Sequence, residues 1–432
     1  MHWTSAALLL AGGLVLALGL NLPVAFAFGV LNLIAAWFLF GNVDALSFLI
    51  QSAYSSVANI YLSAIPFFIL MGTIFVRAEL STVVLDAIGK LTHGVRASGS
   101  YVAVFGGVIL GALMGASVAS TAVLGSTLSG ELRKRHYPKA LAIGPIIGAG
   151  TLANLIPPSI GAILVGSLAG ISISDLLLAG IGPALVLSML LLLYIYWLSR
   201  RYPSLDATAG PQVPRRERIR ALLTLTPVLL PIFCVTGVIY LDIATPTEAS
   251  ATGALATFVV AYLYRRMSWR TMLTIATDAL EFSAMVLFIV VSSKAYSQIL
   301  AITGISSGFA ELLSDVAPSA IVAVLIVLGI AMLLGCFMDQ TSVIFVCVPL
   351  VAGVISRMGI DPVWFGVMFI IVIGTGGISP PFGLNLFALK GVTPPDITMK
   401  DIYRICLPFC ALELLTVAMV MVFPGLARLL VN

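Results

Sequence analysis

Two pairs of unusual segments lie in otherwise apolar parts of this sequence, one pair in each half. In the first half a glycine- and hydroxyl-rich run at 111–125 precedes Pro157–Pro158, and in the second a similar run at 333–345 precedes Pro380–Pro381. Proline lacks a backbone N–H and clashes with the preceding turn, so each pair should interrupt a helix. Interrupted backbone is tolerated in a bilayer where it lines a cavity or is buried in protein. Two matched interruptions therefore indicate the central site of a secondary transporter.

The side chains around these interruptions carry oxygen atoms that suit sodium and groups that suit a carboxylate. Unwound backbone carbonyls bind sodium at such breaks, and the positive ends of half-helices attract anions. We expect sodium ligands at Gly115, Ser117, Ser120, Thr121, Asn154, Asp339, Thr341, Thr375 and Gly376. We expect substrate contacts at Ser117, Asn154, Ser159, Ser342, Ser379 and Asn385, with the breaks at Pro157, Pro158, Pro380 and Pro381. The alternative is that these small residues only let helices pack closely.

Three ionisable residues fall within apolar segments, where such groups are rare and usually functional. Asp339 either binds a cation or caps the helix that follows it, and the two roles are compatible. Lys294 and Glu413 have no motif around them and could snorkel, pair with each other or meet another subunit. The histidines lie in loops or near the terminus, so the sequence predicts no histidine proton relay inside the membrane.

The composition is that of a membrane protein. Of 432 residues, 60% are hydrophobic and 9% charged, against about 25% charged in soluble domains. The net charge of +4 belongs to loops and indicates topology rather than nucleic-acid binding. The five cysteines lack metal-ligand spacing with histidine and are interpreted as buried hydrophobes. No ATPase motif or H-E-x-x-H is present, so no ATP-driven transport within the chain and no cofactor are expected.

Basic loops predict one path through the membrane, because loops rich in Lys and Arg stay cytoplasmic and a span needs about 20 apolar residues. The first half then has spans near 5–21, 23–40 and 59–77, a re-entrant hairpin with its tip at Gly115–Thr121, and a broken helix. The second half repeats this order with opposite polarity, its hairpin tip at Gly335–Thr341. The predicted fold is an all-α polytopic membrane protein, an inverted-topology repeat with two re-entrant helical hairpins and two broken transmembrane helices.

These features divide the chain into segments with different expected roles. They are 1–98, scaffold spans and first arm; 99–170, first hairpin and broken helix; 171–199, a closing span; 200–220, a cytoplasmic basic linker; 221–302, scaffold spans and second arm; 318–390, second hairpin and broken helix; and 391–432, third arm and final span. The arms are amphipathic stretches expected to lie along the interface, at Leu80–Leu91, Met272–Leu280 and Ile397–Ile405.

The sequence closely resembles the large membrane subunit of the tripartite ATP-independent periplasmic (TRAP) transporters. The resemblance runs nearly end to end and rests on LNLPVAFAFG (20–29), AIPFFILMGTIF (64–75), RKRHYPKALA (133–142), IPPSI (156–160), LLLAGIGPAL (176–185), TPTEASATGAL (245–255), MDQTSVI (338–344), GIDPVWFG (359–366) and SPPFGLNLF (379–387). The sequence departs from the family pattern at Asn154, Lys294, Gln340 and Val372. Val372 replaces a frequent Asn, which leaves the sodium ligands of the second half open.

The resemblance implies a sodium-driven elevator in the bacterial inner membrane, in which a transport domain with both hairpins moves against a scaffold. It also implies a small four-helix membrane subunit and a soluble periplasmic protein that delivers an organic acid. Besides these partners we expect the lipid bilayer and no nucleic acid. Alternatives are a self-sufficient carrier coupled to sodium or protons, a structural assembly subunit, and an intramembrane enzyme, for which no catalytic pair is apparent. The substrate's identity stays open.

Overall fold

The computed structural model describes residues 3–20, 22–40, 42–58, 60–202 and 213–431, and in these ranges the chain forms helices and connecting turns without a strand. Residues 203–212 of the predicted basic linker at 200–220 lie outside the described residues. The helices of the first half are α1 Trp3–Gly19, α2 Val24–Phe40, α3 Asn42–Val57, α4 Ala64–Arg77, α5 Leu80–Leu91, α6 Ser98–Met114, α7 Ser117–Leu124, α8 Gly130–Lys134, α9 Lys139–Thr151, α10 Ile160–Ala169, α11 Ile173–Ala179 and α12 Ile181–Arg200.

The second half follows the same plan. Its helices are α13 Arg215–Ile232, α14 Val238–Tyr240, α15 Pro246–Leu263, α16 Trp269–Ile302, α17 Ile305–Val316, α18 Ala320–Phe337, α19 Gln340–Met358, α20 Pro362–Gly377, α21 Leu384–Val392 and α22 Met399–Val422. A hairpin followed by a broken helix thus occurs twice: α6–α7 and α9–α10, then α18–α19 and α20–α21. Two further one-turn π segments continue the helices, at 125–129 between α7 and α8 and at 233–237 between α13 and α14.

Several helices have the length and composition of membrane spans. Those that qualify among the described residues are Ile173–Arg200, Arg215–Tyr240, Trp269–Ile302, Ala320–Phe337, Gln340–Met358 and Met399–Val422. The pair α4–α5 qualifies only as a unit, with a bend of 65° between its helices. The two helices of the second hairpin, α18 and α19, are as long as membrane spans, whereas α6 of the first hairpin has 17 residues. Length alone therefore does not distinguish a hairpin helix from a span.

The hairpin tips and helix breaks lie where the sequence predicts them. The first hairpin turns at Gly115, which has a left-handed φ of +62°, and at the extended Ala116. The second turns at Met338 and Asp339, both extended. The first broken helix is interrupted between Thr151 and Ile160 after one 3₁₀ turn, and the second at 378–383. Both Pro-Pro pairs fall within these interruptions, and their peptide bonds are cis.

The structure contains two helices that were not predicted, and two of the three predicted arms are not separate elements. Helices α3 and α17 were not expected, because the polar side chains of α3 hide its helical pattern and α17 is short and amphipathic. The arm predicted at Met272–Leu280 is not a separate element but part of the 34-residue α16. No glycine or proline interrupts that helix, so nothing ends it between arm and span. Similarly, most of Ile397–Ile405 begins α22, while Leu80–Leu91 is a separate helix as expected.

The helices pack in two sets around one continuous apolar core. In the first set α16 packs on α2, α3 and α4, α15 packs on α4 and α13, and α13 on α5. In the second set α6 packs on α9, α18 on α20, and α22 on both α9 and α20. The sets meet where α6 contacts α4 and α5 and where α16 contacts α19. The first set therefore corresponds to the predicted scaffold spans, and the second contains both hairpins and both broken helices.

Candidate functional site

A cavity of about 360 Å³ lies between the two hairpin tips, within the usual size of small-molecule sites of about 300–1,000 Å³. Residues 115–118 of the first tip and 339–342 of the second form its polar walls. The first turn of α10 contributes residues 160–161. The opposite wall is apolar and belongs to the first set of helices, at 23–25 before and within α2 and at 282–289 in α16. The cavity therefore lies at the boundary between the two sets.

Five of the sequence-predicted site residues line this cavity: Gly115, Ser117, Asp339, Thr341 and Ser342. They come from both repeats, which confirms that the fold brings the two tips together. A site of this kind offers hydroxyl, carboxylate and backbone oxygen atoms on one side and apolar surface on the other. Such a mixture can hold a small anion together with cations.

Each hairpin tip is bound by a backbone hydrogen bond to the break in its own repeat. In the first repeat the Ile160 N–H donates to the Gly115 carbonyl over 3.2 Å. In the second the Gly383 N–H donates to the Cys336 carbonyl over 3.0 Å. A Cβ at Gly115 would lie 2.6 Å from the Pro158 oxygen. The first tip can therefore approach its break this closely only with glycine at position 115. The two equivalent contacts support the internal repeat.

The two repeats are also joined to each other at the site. The Asn385 amide Nδ2, just after the second break, donates to the Ser117 hydroxyl over 3.2 Å. The same hydroxyl lies 3.5 Å from Gln340 Oε1 at the second tip. Ser117 is 4% exposed and Asn385 2% exposed, so both are withdrawn from solvent. Ser117 is therefore the residue at which the first tip, the second tip and the second break converge.

Asp339 caps the helix that follows it. Its carboxylate accepts hydrogen bonds from the Ser342 N–H, over 3.1 Å, and from the Ser342 hydroxyl. The capping role expected as one alternative is therefore confirmed. The half-buried carboxylate also lines the cavity, so capping leaves it facing the space where an ion or substrate would lie.

Other predicted residues lie outside the cavity and use their hydroxyls locally. Ser159 caps α10 by accepting from the Ala162 N–H over 3.1 Å. Thr375 donates to the Ile371 carbonyl over 2.9 Å, and Ser379 to the Thr375 carbonyl over 2.7 Å. Gly376 serves close packing, because a Cβ there would lie 2.8 Å from the Gly335 Cα. For these residues the packing alternative accounts for what the structure shows.

Ser120 and Thr121 differ from the residues with local hydrogen bonds. Their hydroxyls are fully buried and have no hydrogen-bond partner in the described part of the chain. Thr121 lies against α9 so closely that a Cβ at Gly150 would be 1.9 Å from its Oγ1. Buried hydroxyls are usually paired. Two unpaired oxygen atoms one turn behind the first tip fit a hard monovalent cation such as sodium, the ion that the sequence predicts there.

Asn154 lies apart from the cavity, where the two broken helices cross. Its Nδ2 is 2.7 Å from the position of a Cβ at Gly374, and it has no hydrogen-bond partner in the described ranges. Beside it lies Glu413 of α22, which accepts a hydrogen bond from the Thr151 hydroxyl. Nothing in the local sequence around Glu413 marks this contact. Only its carboxyl group within an apolar span could have drawn attention to it.

The chain is similar to known proteins in sequence and in fold. A family model described as "Tripartite ATP-independent periplasmic transporter, DctM component" matches residues 11–426. The chain is 30% identical to the 2,3-diketo-L-gulonate TRAP transporter large permease protein of Escherichia coli, covering 97% of each chain. It is 29% identical to the ectoine TRAP transporter large permease protein of Halomonas elongata, covering 95% of each. The fold resembles the Alcanivorax borkumensis YdaH transporter, with a TM-score of 0.66, 14% identity and 90% coverage of each chain.

These relatives are named as permease components and not as enzymes. The apolar helices make the chain a multi-pass protein of the inner membrane. With the family model covering nearly all of its length, the chain belongs to the DctM-component family of the tripartite ATP-independent periplasmic transporters.

Proposed function

We propose that this chain imports an organic acid across the bacterial inner membrane, coupled to sodium, as the large subunit of a three-component transporter. The observation that carries the proposal is the cavity between the hairpin tips, lined by oxygen donors from both repeats. Sodium is favoured over protons because the site offers hydroxyls, one carboxylate and backbone oxygens. The unpaired oxygens of Ser120 and Thr121 add to this donor set.

The substrate is an organic acid in this proposal because of the cavity's chemistry and its relatives. Relatives are named for the transport of C4-dicarboxylates, 2,3-diketo-L-gulonate and isethionate, which are organic anions, and of ectoine, a zwitterion that also carries a carboxylate. Ser117 and Ser342 at the tips, and the Asn385 amide just after the second break, which donates to Ser117, are the polar groups that would contact the carboxylate. The N-termini of α7 and α19 begin at these tips, and their dipoles favour an anion.

Movement of the second set of helices against the first is the proposed transport step. The second set contains both hairpins, both broken helices and α22, which packs on the broken helices, while α2 and α16 provide the opposite wall of the cavity. That wall is apolar, with Phe282, Met285 and Ile289. The hairpin tips of the second set can therefore slide along it without breaking hydrogen bonds. An elevator of this kind carries the site across the bilayer with its tips closed over the substrate.

Two protein partners belong to the proposal. A small four-helix membrane subunit would pack on the lipid-facing surface of the first set, where Trp37 and Phe38 of α2 and Leu223 of α13 are exposed. A periplasmic binding protein would deliver the substrate to the outer side. The single-chain alternative, a self-sufficient carrier, needs neither partner.

Uptake by reconstituted proteoliposomes tests the proposal. The chain is purified with a candidate small four-helix subunit, and a panel of radiolabelled organic acids is offered with a candidate periplasmic binding protein. We expect uptake only with an inward sodium gradient, the small subunit and the binding protein. Uptake by the chain alone would favour the self-sufficient carrier. Uptake driven equally by a pH gradient in sodium-free buffer would refute the sodium coupling.

A further inference from the structure

Glu413 occupies an unusual position for a carboxyl group. It lies in the middle of α22, a helix apolar enough to span the membrane, and only 1% of its surface is exposed. Helix α22 packs on both broken helices at once, through α9 of the first repeat and α20 of the second. Glu413 thus sits where the two repeats meet, and neither it nor the residues around it line the cavity between the hairpin tips.

The groups around Glu413 do not compensate a negative charge. One carboxyl oxygen accepts from the Thr151 hydroxyl, which is an uncharged group. The other oxygen, Oε2, has no partner in the described part of the chain. None of the ion pairs between described residues includes Glu413. A buried carboxylate without a counter-charge is strongly unfavourable, so the group is either a neutral acid or a ligand of a cation.

The space beside Glu413 favours the cation. Glu413, Thr151, Asn154 and Gly374 line a small gap, together with Leu187 and apolar residues of α20. The gap is too small for a water molecule, which removes water as the missing partner of Oε2. Asn154, 3% exposed, also points an unpaired amide into this region. The assignment of oxygen and nitrogen in an amide follows from its partners, and rotating it would turn Oδ1 toward the gap.

We propose that Glu413 is the charged ligand of an additional sodium site between the two broken helices, completed by Thr151 and Asn154. The proposal rests on the sodium coupling proposed above and adds a site distinct from the hairpin tips. Binding of the ion neutralises the carboxylate in the loaded protein, and release of the ion in each cycle makes it part of the charge moved per substrate. The site also joins α9, α20 and α22 through one ion, and their relative positions then depend on its presence.

Sodium-dependent thermal stability of the purified complex tests the proposal without requiring transport. The unfolding midpoint is followed against NaCl, with choline chloride keeping the ionic strength constant. Glu413→Gln keeps the size of the side chain and an oxygen for Thr151 but removes the charge. We expect its half-saturating sodium concentration to rise at least tenfold over the wild type. Thr416→Val is the matched control, because Thr416 is buried on the same helix and donates to the Leu412 carbonyl over 2.9 Å; it should keep the wild-type sodium dependence.

A second measurement counts charge. In proteoliposomes the charge moved per substrate should fall by one in Glu413→Gln, whereas a neutral structural acid predicts no change, since glutamine mimics the protonated form. If Glu413→Gln keeps both the wild-type sodium dependence of the unfolding midpoint and the wild-type charge per substrate, the Glu413 site alone is overturned. A wild-type complex that sodium does not stabilise would overturn both the site and the sodium coupling. If Glu413→Gln does not assemble, Glu413→Asp replaces it, and an unshifted sodium dependence there would equally refute the site.

Discussion

The Asn385 amide nitrogen lies 3.2 Å from the Ser117 hydroxyl oxygen, a contact between residues 268 positions apart in the sequence. It joins the first hairpin tip to the helix that follows the second break. Both residues are buried, so neither can exchange its partner for water without a conformational change. The two repeats are therefore coupled at the cavity by a hydrogen bond between side chains, not only by apolar packing.

Removing either side of this contact should destabilise the protein. In Asn385→Ala the buried Ser117 hydroxyl loses its donor, at a cost of about 1–3 kcal/mol. A double-mutant cycle with Ser117→Ala should give a coupling of about 0.5–1.5 kcal/mol, measured by unfolding of the purified complex. The control is Ser126→Ala, an exposed serine on the same hairpin that donates to the Val123 carbonyl. Additive single effects would show that the contact carries no energy.

The sodium role of the second tip is tested by Asp339→Asn and Thr341→Val. Asparagine also caps helices, so the fold should persist while the formal charge is lost. We expect uptake against sodium concentration to show a several-fold higher half-saturating sodium in each variant, with membrane abundance unchanged. Asp315→Asn, which alters an exposed carboxylate at the end of α17, is the control. Unchanged sodium dependence in both tip variants would exclude this tip from the ion site.

The hairpin tips and helix breaks could be predicted from the sequence because they depend on individual residues. Gly115 and the Pro-Pro pairs mark tips and breaks because their effect on the backbone is set by the residue itself. The expected sodium and substrate residues divide in the structure: Ser117 and Asp339 reach the cavity, while Ser159 and Ser379 bond to nearby backbone. Sequence spacing cannot separate these cases, because both kinds of serine lie next to a helix break.

The length of α16 and the surroundings of Glu413 could not be predicted from the sequence, because they depend on packing between distant parts of the chain. The length of α16 follows from the absence of a breaking residue, yet the amphipathic start of that helix resembles a separate arm. The position of Glu413 depends on α22 packing across both repeats, through partners more than 250 positions away. The proposed pairing of Glu413 with Lys294 is not among the ion pairs of the described residues.

Topology follows from the opposite polarity predicted for the two repeats. The segment before α13 should be cytoplasmic, and the turn after α19 should be periplasmic. Single cysteines at Arg216 and Ser356, both exposed, should therefore react with a membrane-impermeant thiol reagent from opposite sides of intact cells. Their labelling is compared in a cysteine-free background before and after permeabilisation. Reaction from the same side would refute the inverted repeat.

The small membrane subunit should contact the scaffold spans, because a partner bound to the moving set would prevent its movement. Photo-crosslinkers at Trp37 and Leu223, exposed on α2 and α13, should capture it. Crosslinkers at Phe105 and Leu325, which are similarly exposed on the hairpins, should not. A reversed pattern, with capture confined to 99–170 or 318–390, would contradict the proposal that the first set of helices is the scaffold and the second set moves.

Close packing between each hairpin and its broken helix depends on glycine. A Cβ at Gly111 would lie 2.9 Å from the Ala153 Cα, on backbone that cannot move aside easily. Gly111→Ala should therefore cost about 1–3 kcal/mol, seen as a lower unfolding midpoint, and should slow uptake by displacing the first tip. Gly130→Ala, in α8 with no atom within 4 Å of the new Cβ, should be neutral or stabilising. Equal midpoints for the two variants would show that the hairpin can separate from the broken helix at little cost.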